Sequence, residues 1–401
     1  MSREDIGAAP RDRAGAGVVT APPDPVLLWA VFALVTLGLV MVYSASAVTA
    51  QALEHNGFYF LERQAGAAAV GVGALLAVLR LGYRRLLPFA YPLLLAALLA
   101  LVLVLVPGVG SSVGGARRWI RVPGFSFQPA ELAKLAFVVY LAHSLAKKRE
   151  KVRIFSVGFL PHCFVGGLAI LLLMLEPDFG SSVALALLLF ALLFAAGARI
   201  SWLVGLLLAG LPIGWLAIAR SQYRMKRILA FLDPWAHRHG IGYQTVESLL
   251  SIGSGGPWGL GLGAGREKLF FLPEAHTDFI FSIIGEELGL AGAVLVIGLY
   301  AIVVWRGLRA AFRARDAFGA YLALGLTCLI GVGACVNLGV AMGVLPTKGL
   351  TLPLVSFGGT SLVVSLVEAG LLLSVSRSAG GFLLPQSRGE AARARLAGGL
   401  A

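Results

Sequence analysis

Long apolar runs separated by short polar clusters make up most of this chain. Ten runs are long enough to cross a bilayer as helices: roughly 26–47, 63–81, 86–106, 128–146, 155–175, 179–197, 200–219, 277–305, 317–342 and 357–376. The polar clusters alternate in content. With the N-terminus inside, the cytoplasmic loops hold Arg80, Arg84 and Arg85, then Lys147, Lys148, Arg149, Lys151 and Arg153, then Arg199, then Arg306, Arg309, Arg313 and Arg315. The C-terminal tail adds Arg377, Arg388, Arg393 and Arg395. Lys and Arg collect in short cytoplasmic loops, so ten spans with both ends in the cytoplasm satisfy the pattern, and an odd number would put one basic tail outside. The expected fold is all-α: a ten-helix membrane domain over 26–377, with cytoplasmic tails at 1–25 and 378–401. The segments left outside are 48–62, 107–127, 176–178, 220–276 and 343–356.

Composition supports this reading. Of 401 residues, 58% are hydrophobic and 13% charged, against about 25% charged in soluble proteins. The net charge of +13 is spread over loops, with no soluble domain left to carry a nucleic-acid footprint. The three cysteines, Cys163, Cys328 and Cys335, lie in apolar runs. Cys328 and Cys335 are roughly 10 Å apart along one predicted helix, too far to bridge. The Pro, Gly and Arg-rich stretch before Pro25 reads as a disordered tail. The first apolar run is about 20 residues, longer than the core of a signal peptide, and is read as an uncleaved span.

One stretch concentrates polar chemistry at membrane depth, Leu272 to Glu287 (LPEAHTDFIFSIIGEE). Pro273 suits the start of a helix and Thr277 its first-turn cap. Asp278 is then expected at the positive end of the helix dipole, sharing a face with Ser282, Gly285, Glu286 and Gly289. Carboxylates here either carry function or pair with neighbouring helices.

The long outer loop is basic, with Arg220, Arg224, Lys226, Arg227, Arg238, Arg266 and Lys268. Such a surface attracts a lipid head group or pyrophosphate, or lies on anionic lipid. Arg224 to Leu232 reads as a short interfacial helix ended by Asp233-Pro234. The glycine-dense Gly253–Gly265 either approaches a ligand with its backbone or flexes. It lacks the Lys-Ser/Thr of a nucleotide loop.

Elsewhere, Gln128, Glu131 and Lys134 stack on one face after Pro129, where Glu131 and Lys134 either satisfy each other or line a polar cavity. The acids of Glu176-Pro177-Asp178 are expected to cap the next span or meet nearby cations. Asn337 reads as a helix–helix hydrogen-bonding residue. The Pro/Gly-broken segment 345–361 is tolerable at the membrane only against protein or a wet cavity, and its Lys348 is one more outer cation. Three classes fit these residues: an enzyme acting on a lipid pyrophosphate with Asp278 as base, a transporter or flippase with Lys134, Glu131 and Glu286 along its path, and a scaffold.

LPEAHTDFIFSIIGEELG (272–289) and NLGVAMGVLPTKGLTLPLVSFGGTS (337–361), supported by Arg118-Trp119-Ile120 and QPAELAKL (128–135), closely resemble the SEDS family of FtsW, RodA and SpoVE proteins. The resemblance covers about 26–377. PTKGLTLPLVSFGG is nearer the division-type FtsW branch, since RodA-like members tend to differ at Lys348 and to carry Pro-Phe in place of Pro353-Leu354. The resemblance implies an inner-membrane peptidoglycan glycosyltransferase that polymerises lipid II by inverting transfer for septal wall synthesis. A RodA-type elongation polymerase or a lipid II flippase is the alternative. It implies Asp278 as the catalytic residue and Arg118, Lys134, Glu131, Arg224, Arg227, Glu274, His276 and Lys348 as candidates for binding substrate. It also implies a class B penicillin-binding protein as partner, with its span against spans 8 and 9, beside other divisome proteins and membrane lipid. A helix start would depress the pKa of a basic catalyst at Asp278, whereas burial or Glu274 would raise it. Alternatively Asp278 binds a divalent cation, magnesium or manganese, that neutralises pyrophosphate.

Overall fold

The computed structural model describes residues 22–113, 116–122, 125–269 and 271–377. The expected tails lie outside these residues except for 22–25 and Arg377, as do Gly114 and Gly115. In chain order the elements are α1 (Pro25–Glu54), α2 (Tyr59–Leu81), α3 (Ala90–Leu105), β1 (Gly110–Val113), β2 (Ala116–Val122), β3 (Phe125–Phe127) and α4 (Pro129–Lys148). There follow α5 (Leu160–Leu175), α6 (Phe179–Ala195), α7 (Ile200–Ala219), α8 (Gln222–Leu232), α9 (Tyr243–Ser254), α10 (Ile280–Arg313), α11 (Ala317–Ala341) and α12 (Gly359–Ser376).

Eight helical stretches among the described residues are long and apolar enough to cross a membrane. The other two expected spans, 128–146 and 179–197, correspond to α4, which carries Glu131, Lys134, Lys147 and Lys148, and α6, which has 17 residues. The centre of the bundle is α4, α11 and α12, whose side chains are buried along most of their length. α12 packs chiefly on α2, and α11 on α10 and α4. α7 is the opposite case. Leu203 is its one buried residue, and its apolar side chains point outward, as lipid contact requires.

Local chemistry sets the helix ends. Asp24 accepts from Val26 N and Leu27 N ahead of Pro25, and its other oxygen meets Arg306 at 2.5 Å. The start of α1 is thereby fixed to the far end of α10. Asp178 caps α6 through Ser181 N at 3.1 Å, as expected of that turn. Asp316 caps α11 through Gly319 N at 2.8 Å.

The segments at the opposite end of the bundle hold structure that hydrophobic patterning did not reveal. The segment after α3 folds into a three-stranded antiparallel sheet in the order β1-β2-β3, with Ser111 opposite Trp119 and Arg121 opposite Ser126. The loop 220–276 carries two helices. The first, α8, is the one expected, and ends at Asp233. The second, α9, was not expected.

The largest correction concerns 272–289. The helix starts at Ile280, not at Thr277. Glu274 adopts a left-handed conformation (φ 57°), and its carbonyl collects the N–H groups of Thr277, Asp278 and Phe279. Thr277 Oγ1 turns back to Glu274 at 2.8 Å and caps nothing. Asp278 therefore stands before α10 and shares no helix face with Ser282 or Glu286.

α10 itself is broken at Gly289 (φ 65°, ψ −162°). In an unbroken helix Leu290 N–H would donate to Glu286 O, and Ala291 N–H to Glu287 O. Here they donate to Gly256 O and Pro257 O, while Glu286 O and Glu287 O accept from Leu260 N and Gly261 N. The glycine-dense loop is spliced into the helix and supplies the missing partners. Close approach accounts for Gly255, Gly259 and Gly265, where a Cβ would meet Gly285 O, Glu287 O or the Glu286 carboxylate, and positive φ for Gly256, Gly259 and Gly261. Two carboxylates clamp the splice. Glu286 accepts from Arg266 N at 2.6 Å and Ser251 Oγ at 3.2 Å. Glu287 meets Lys268 at 2.5 Å, Gly263 N at 3.0 Å and Ser44 Oγ at 2.6 Å. Glu286 is thus fully used in the fold and lines no transport path.

Candidate functional site

A cleft of about 610 Å³ opens at the sheet-bearing end of the bundle. Its walls come from β2, the α5–α6 turn, α8, α9, the turn before α10 and the segment 346–349. Five predicted site cations and acids meet here around Asp278: Arg118, Arg224, Arg227, Glu274 and Lys348.

Each is positioned by its local structure. Asp278 is held by its backbone: its N–H donates to Glu274 O at 3.1 Å, and its carbonyl accepts from Asn337 Nδ2 at 2.9 Å. That leaves its carboxylate without a protein hydrogen bond among the described residues. Burial raises its pKa to about 7, with Glu274 adding to the rise and Arg227 and Arg118 opposing it. The net depression expected at a helix start is not seen, because burial and Glu274 outweigh the neighbouring cations.

Arg118 reaches from β2 to the α5–α6 turn. Its Nε donates to Glu176 O at 3.1 Å, and its Nη2 to Pro177 O at 2.5 Å. Arg227 on α8 donates to Thr347 O at 2.8 Å and to the Tyr223 hydroxyl one turn earlier. Arg224 donates to Ala217 O at 3.0 Å. It also lies over the ring of Phe179, 5.5 Å from the centroid. The Lys348 ammonium takes another position on that ring at 4.8 Å. Burial lowers the Lys348 pKa, partly offset by Asp178. Phe179 is thus a shared platform that holds two cations at the cleft wall.

Three predicted residues lie elsewhere. His276 does not line the cleft. It packs 4.5 Å from the ring of Phe60 and 5.5 Å from that of Phe357, and its carbonyl accepts from Phe357 N. Burial lowers its pKa, with Glu274 opposing. Glu131 and Lys134 form an ion pair of 2.8 Å in a small adjoining cavity within the bundle. Both sequence expectations for this pair hold together: the two satisfy each other and line a polar space. The cleft also uses Tyr223, Gln244 and Thr347, which sequence reading missed. Tyr223 could have been found from its place one turn before Arg227. Gln244 lies on the unexpected α9.

The profile of the family described as cell cycle protein, FtsW/RodA/SpoVE, matches residues 25–380. The chain belongs to this family. Among FtsW/RodA/SpoVE relatives it is 47% identical over 353 residues to the "Probable peptidoglycan glycosyltransferase FtsW" of Geobacter metallireducens, covering 88% of this chain and 94% of that protein. It is 41% identical over 356 residues to "Stage V sporulation protein E" of Bacillus subtilis, covering 88% and 97%. Solved structures of the family superpose on it. The rod shape determining protein RodA of Thermus thermophilus gives a TM-score of 0.66 at 31% identity, covering 90% of this chain and 98% of that one. A chain reported under "Structural coordination of polymerization and crosslinking by a peptidoglycan synthase complex" gives 0.74 at 33% identity, covering 88% and 98%. With these relatives and its apolar helices, the chain is a multi-pass membrane protein.

Proposed function

We propose that this chain is a peptidoglycan glycosyltransferase that polymerises lipid II at the outer face of the inner membrane, for septal wall synthesis. The observation that carries the reading is the cleft: a carboxylate without a protein hydrogen bond among the described residues, sharing the walls with Arg118, Arg227 and Lys348. The arrangement matches the two demands of glycosyl transfer from a lipid pyrophosphate. A base with a pKa about 7 is well matched to taking a proton from a sugar hydroxyl at neutral pH. Fixed cations favour the negative charge that develops on the leaving pyrophosphate.

In the proposed step the 4-hydroxyl oxygen of the acceptor sugar bonds to the anomeric carbon of the donor. The bond from that carbon to the pyrophosphate oxygen breaks with inversion, and the hydroxyl proton passes to Asp278. Arg118, Arg227 and Lys348 hold the pyrophosphate, with Arg224 at the cleft edge. A divalent cation, magnesium or manganese, fits as an ion carried by the substrate's phosphates, because such ions need only one or two protein carboxylates. Of the three carboxylates on the wall Asp178 is taken by Ser181, so in this alternative Asp278, in place of its role as base, and Glu274 would hold the ion, which would neutralise charge on the leaving group.

The full proposal has ten spans, both termini in the cytoplasm, the membrane domain over 26–377, and a class B penicillin-binding protein beside α10 and α11. A second reading, lipid II flipping, draws on the Glu131–Lys134 pair inside the bundle. One experiment separates the two. The chain, purified with its cognate transpeptidase, is incubated with lipid II and glycan strands are resolved on a gel. Polymer from wild type and none from a folded, partner-bound Asp278→Ala supports the polymerase. Lys134-dependent movement of lipid II across vesicles without polymer favours flipping.

A further inference from the structure

A second cavity of about 50 Å³ lies beneath the cleft, between α4, α6, α11 and α12. Lys348 and Gly180 are on the walls of both spaces. The volume suits a water or two or one small ion. Its charged lining is Glu131 and Lys134 from α4, Glu368 from α12, and Lys348 from the segment before α12. The α6 and α11 walls, such as Val183, Ala184, Leu329 and Val332, carry no titratable group.

Two acids and two cations line the space, and matching their contacts leaves Glu368 without a direct partner. Lys134 is taken by Glu131 at 2.8 Å. The Ser361 hydroxyl is taken by Thr351 at 3.0 Å. Lys348 sits on the Phe179 ring. Glu368, 6% exposed, and Ser365, 4% exposed and one turn before it, have no hydrogen-bond partner among the described residues, yet both face the cavity. A carboxylate buried without a counter-charge is strongly disfavoured. Lys134 and Lys348 share the wall, but neither forms an ion pair with Glu368 among the described residues, so a cation bound directly at Glu368 is the arrangement that meets this cost.

We propose that Glu368 holds an exchangeable monovalent positive charge, a proton or a sodium ion, at a site completed by the Ser365 hydroxyl and walled by the Glu131–Lys134 pair. Oxygen donors suit a hard cation. With Glu131 paired to Lys134, Glu368 is the one carboxylate of this wall free to bind an ion directly, which suits a singly charged one. The bound charge ties α12 to α4 directly under the cleft. The site does not depend on the proposed sugar transfer.

The test uses the full chain purified in detergent, as wild type, Glu368→Gln and Ser365→Ala. Apparent unfolding temperature is measured while sodium chloride replaces choline chloride at constant ionic strength. Infrared spectra are recorded for the C=O stretch of a protonated carboxyl. A sodium site gives a saturable rise of a few degrees in wild type, smaller in Ser365→Ala and absent in Glu368→Gln. A proton site gives no sodium response, but a carboxyl band in wild type that Glu368→Gln lacks and Ser365→Ala shifts. If wild type and Glu368→Gln respond alike to sodium and share the same carboxyl band, the proposal fails. Should Glu368→Gln not fold, a Ser365→Ala protein indistinguishable from wild type in both measurements overturns it equally.

Discussion

Asn337, buried near the end of α11, donates to the carbonyl of Asp278 at 2.9 Å and to that of Leu350 at 2.6 Å. One side chain thus ties the turn before α10 to the Lys348 segment, the two backbone pieces that carry the proposed base and one of its cations. Asn337→Ala should lower kcat about 10²-fold, the order expected when a catalytic group loses its placement, with KM changed much less. Steady-state kinetics on lipid II, with partner binding as the folding control, would check it. Equal loss of kcat and partner binding would mean a folding role only.

Asp278→Asn keeps shape and removes the base. Polymerisation should fall by about 10²–10⁴-fold, the range for general-base catalysis, while lipid II still binds. Single-turnover assays beside a binding measurement would separate the two effects.

The pH dependence has a definite sign. Asp278 acts as a base only when ionised, so kcat/KM should rise with pH and level off above about 7. Arg227 holds this pKa down and Glu274 pushes it up. Arg227→Ala should therefore move the midpoint upward, and Glu274→Gln downward. Stability runs the other way. A carboxyl whose folded pKa lies above its unfolded value stabilises the fold when protonated, and that contribution is lost as pH rises toward about 7. Rate profiles and unfolding curves over the same pH range would test both halves.

Lys268 and Glu287 form an ion pair with side chains 5% and 0% exposed. Removing one partner strands a buried charge, so Lys268→Met should destabilise the protein by about 3–5 kcal/mol. Adding Glu287→Gln to Lys268→Met should recover part of that loss. The comparison of apparent unfolding temperatures across the single and double variants decides it. No recovery in the double variant would mean that the lost packing of the lysine stem dominates.

How far the sequence anticipated this structure depended on the range of the forces involved. The membrane helices follow from hydrophobic runs, and the gathering of Arg118, Arg224, Arg227, Asp278 and Lys348 at one end of the bundle from the order of those runs. The helix caps at Asp178 and the end of α8 at Asp233 follow from chemistry within a few residues. The start of α10 did not, because Glu274 gathers three N–H groups in a turn that competes with Thr277 as a cap. The roles of Glu286 and Glu287 were hidden for a different reason. Their partners, Arg266 N and Lys268, belong to a loop whose position is set by tertiary contact. Gln128–Lys134 gave the ion pair by helical spacing, but not Glu368, which arrives from a helix more than 200 positions later. β1 to β3 are too short and too irregular in alternation to stand out from an ordinary loop.

The break at Gly289 divides α10 into two segments that the spliced loop grips on both sides. The first segment, Ile280 to Leu288, is fastened to the spliced loop by two backbone bonds and two carboxylates, and the second by two more backbone bonds, through Leu290 and Ala291. The second segment is an apolar rod that must follow the thickness and tilt of the bilayer around it. Because the loop grips both sides of the break, tilting of that rod meets the loop before it reaches the turn that holds Asp278. The chemistry is thereby mounted on the loop's frame, insulated from mechanical changes in the membrane that houses it.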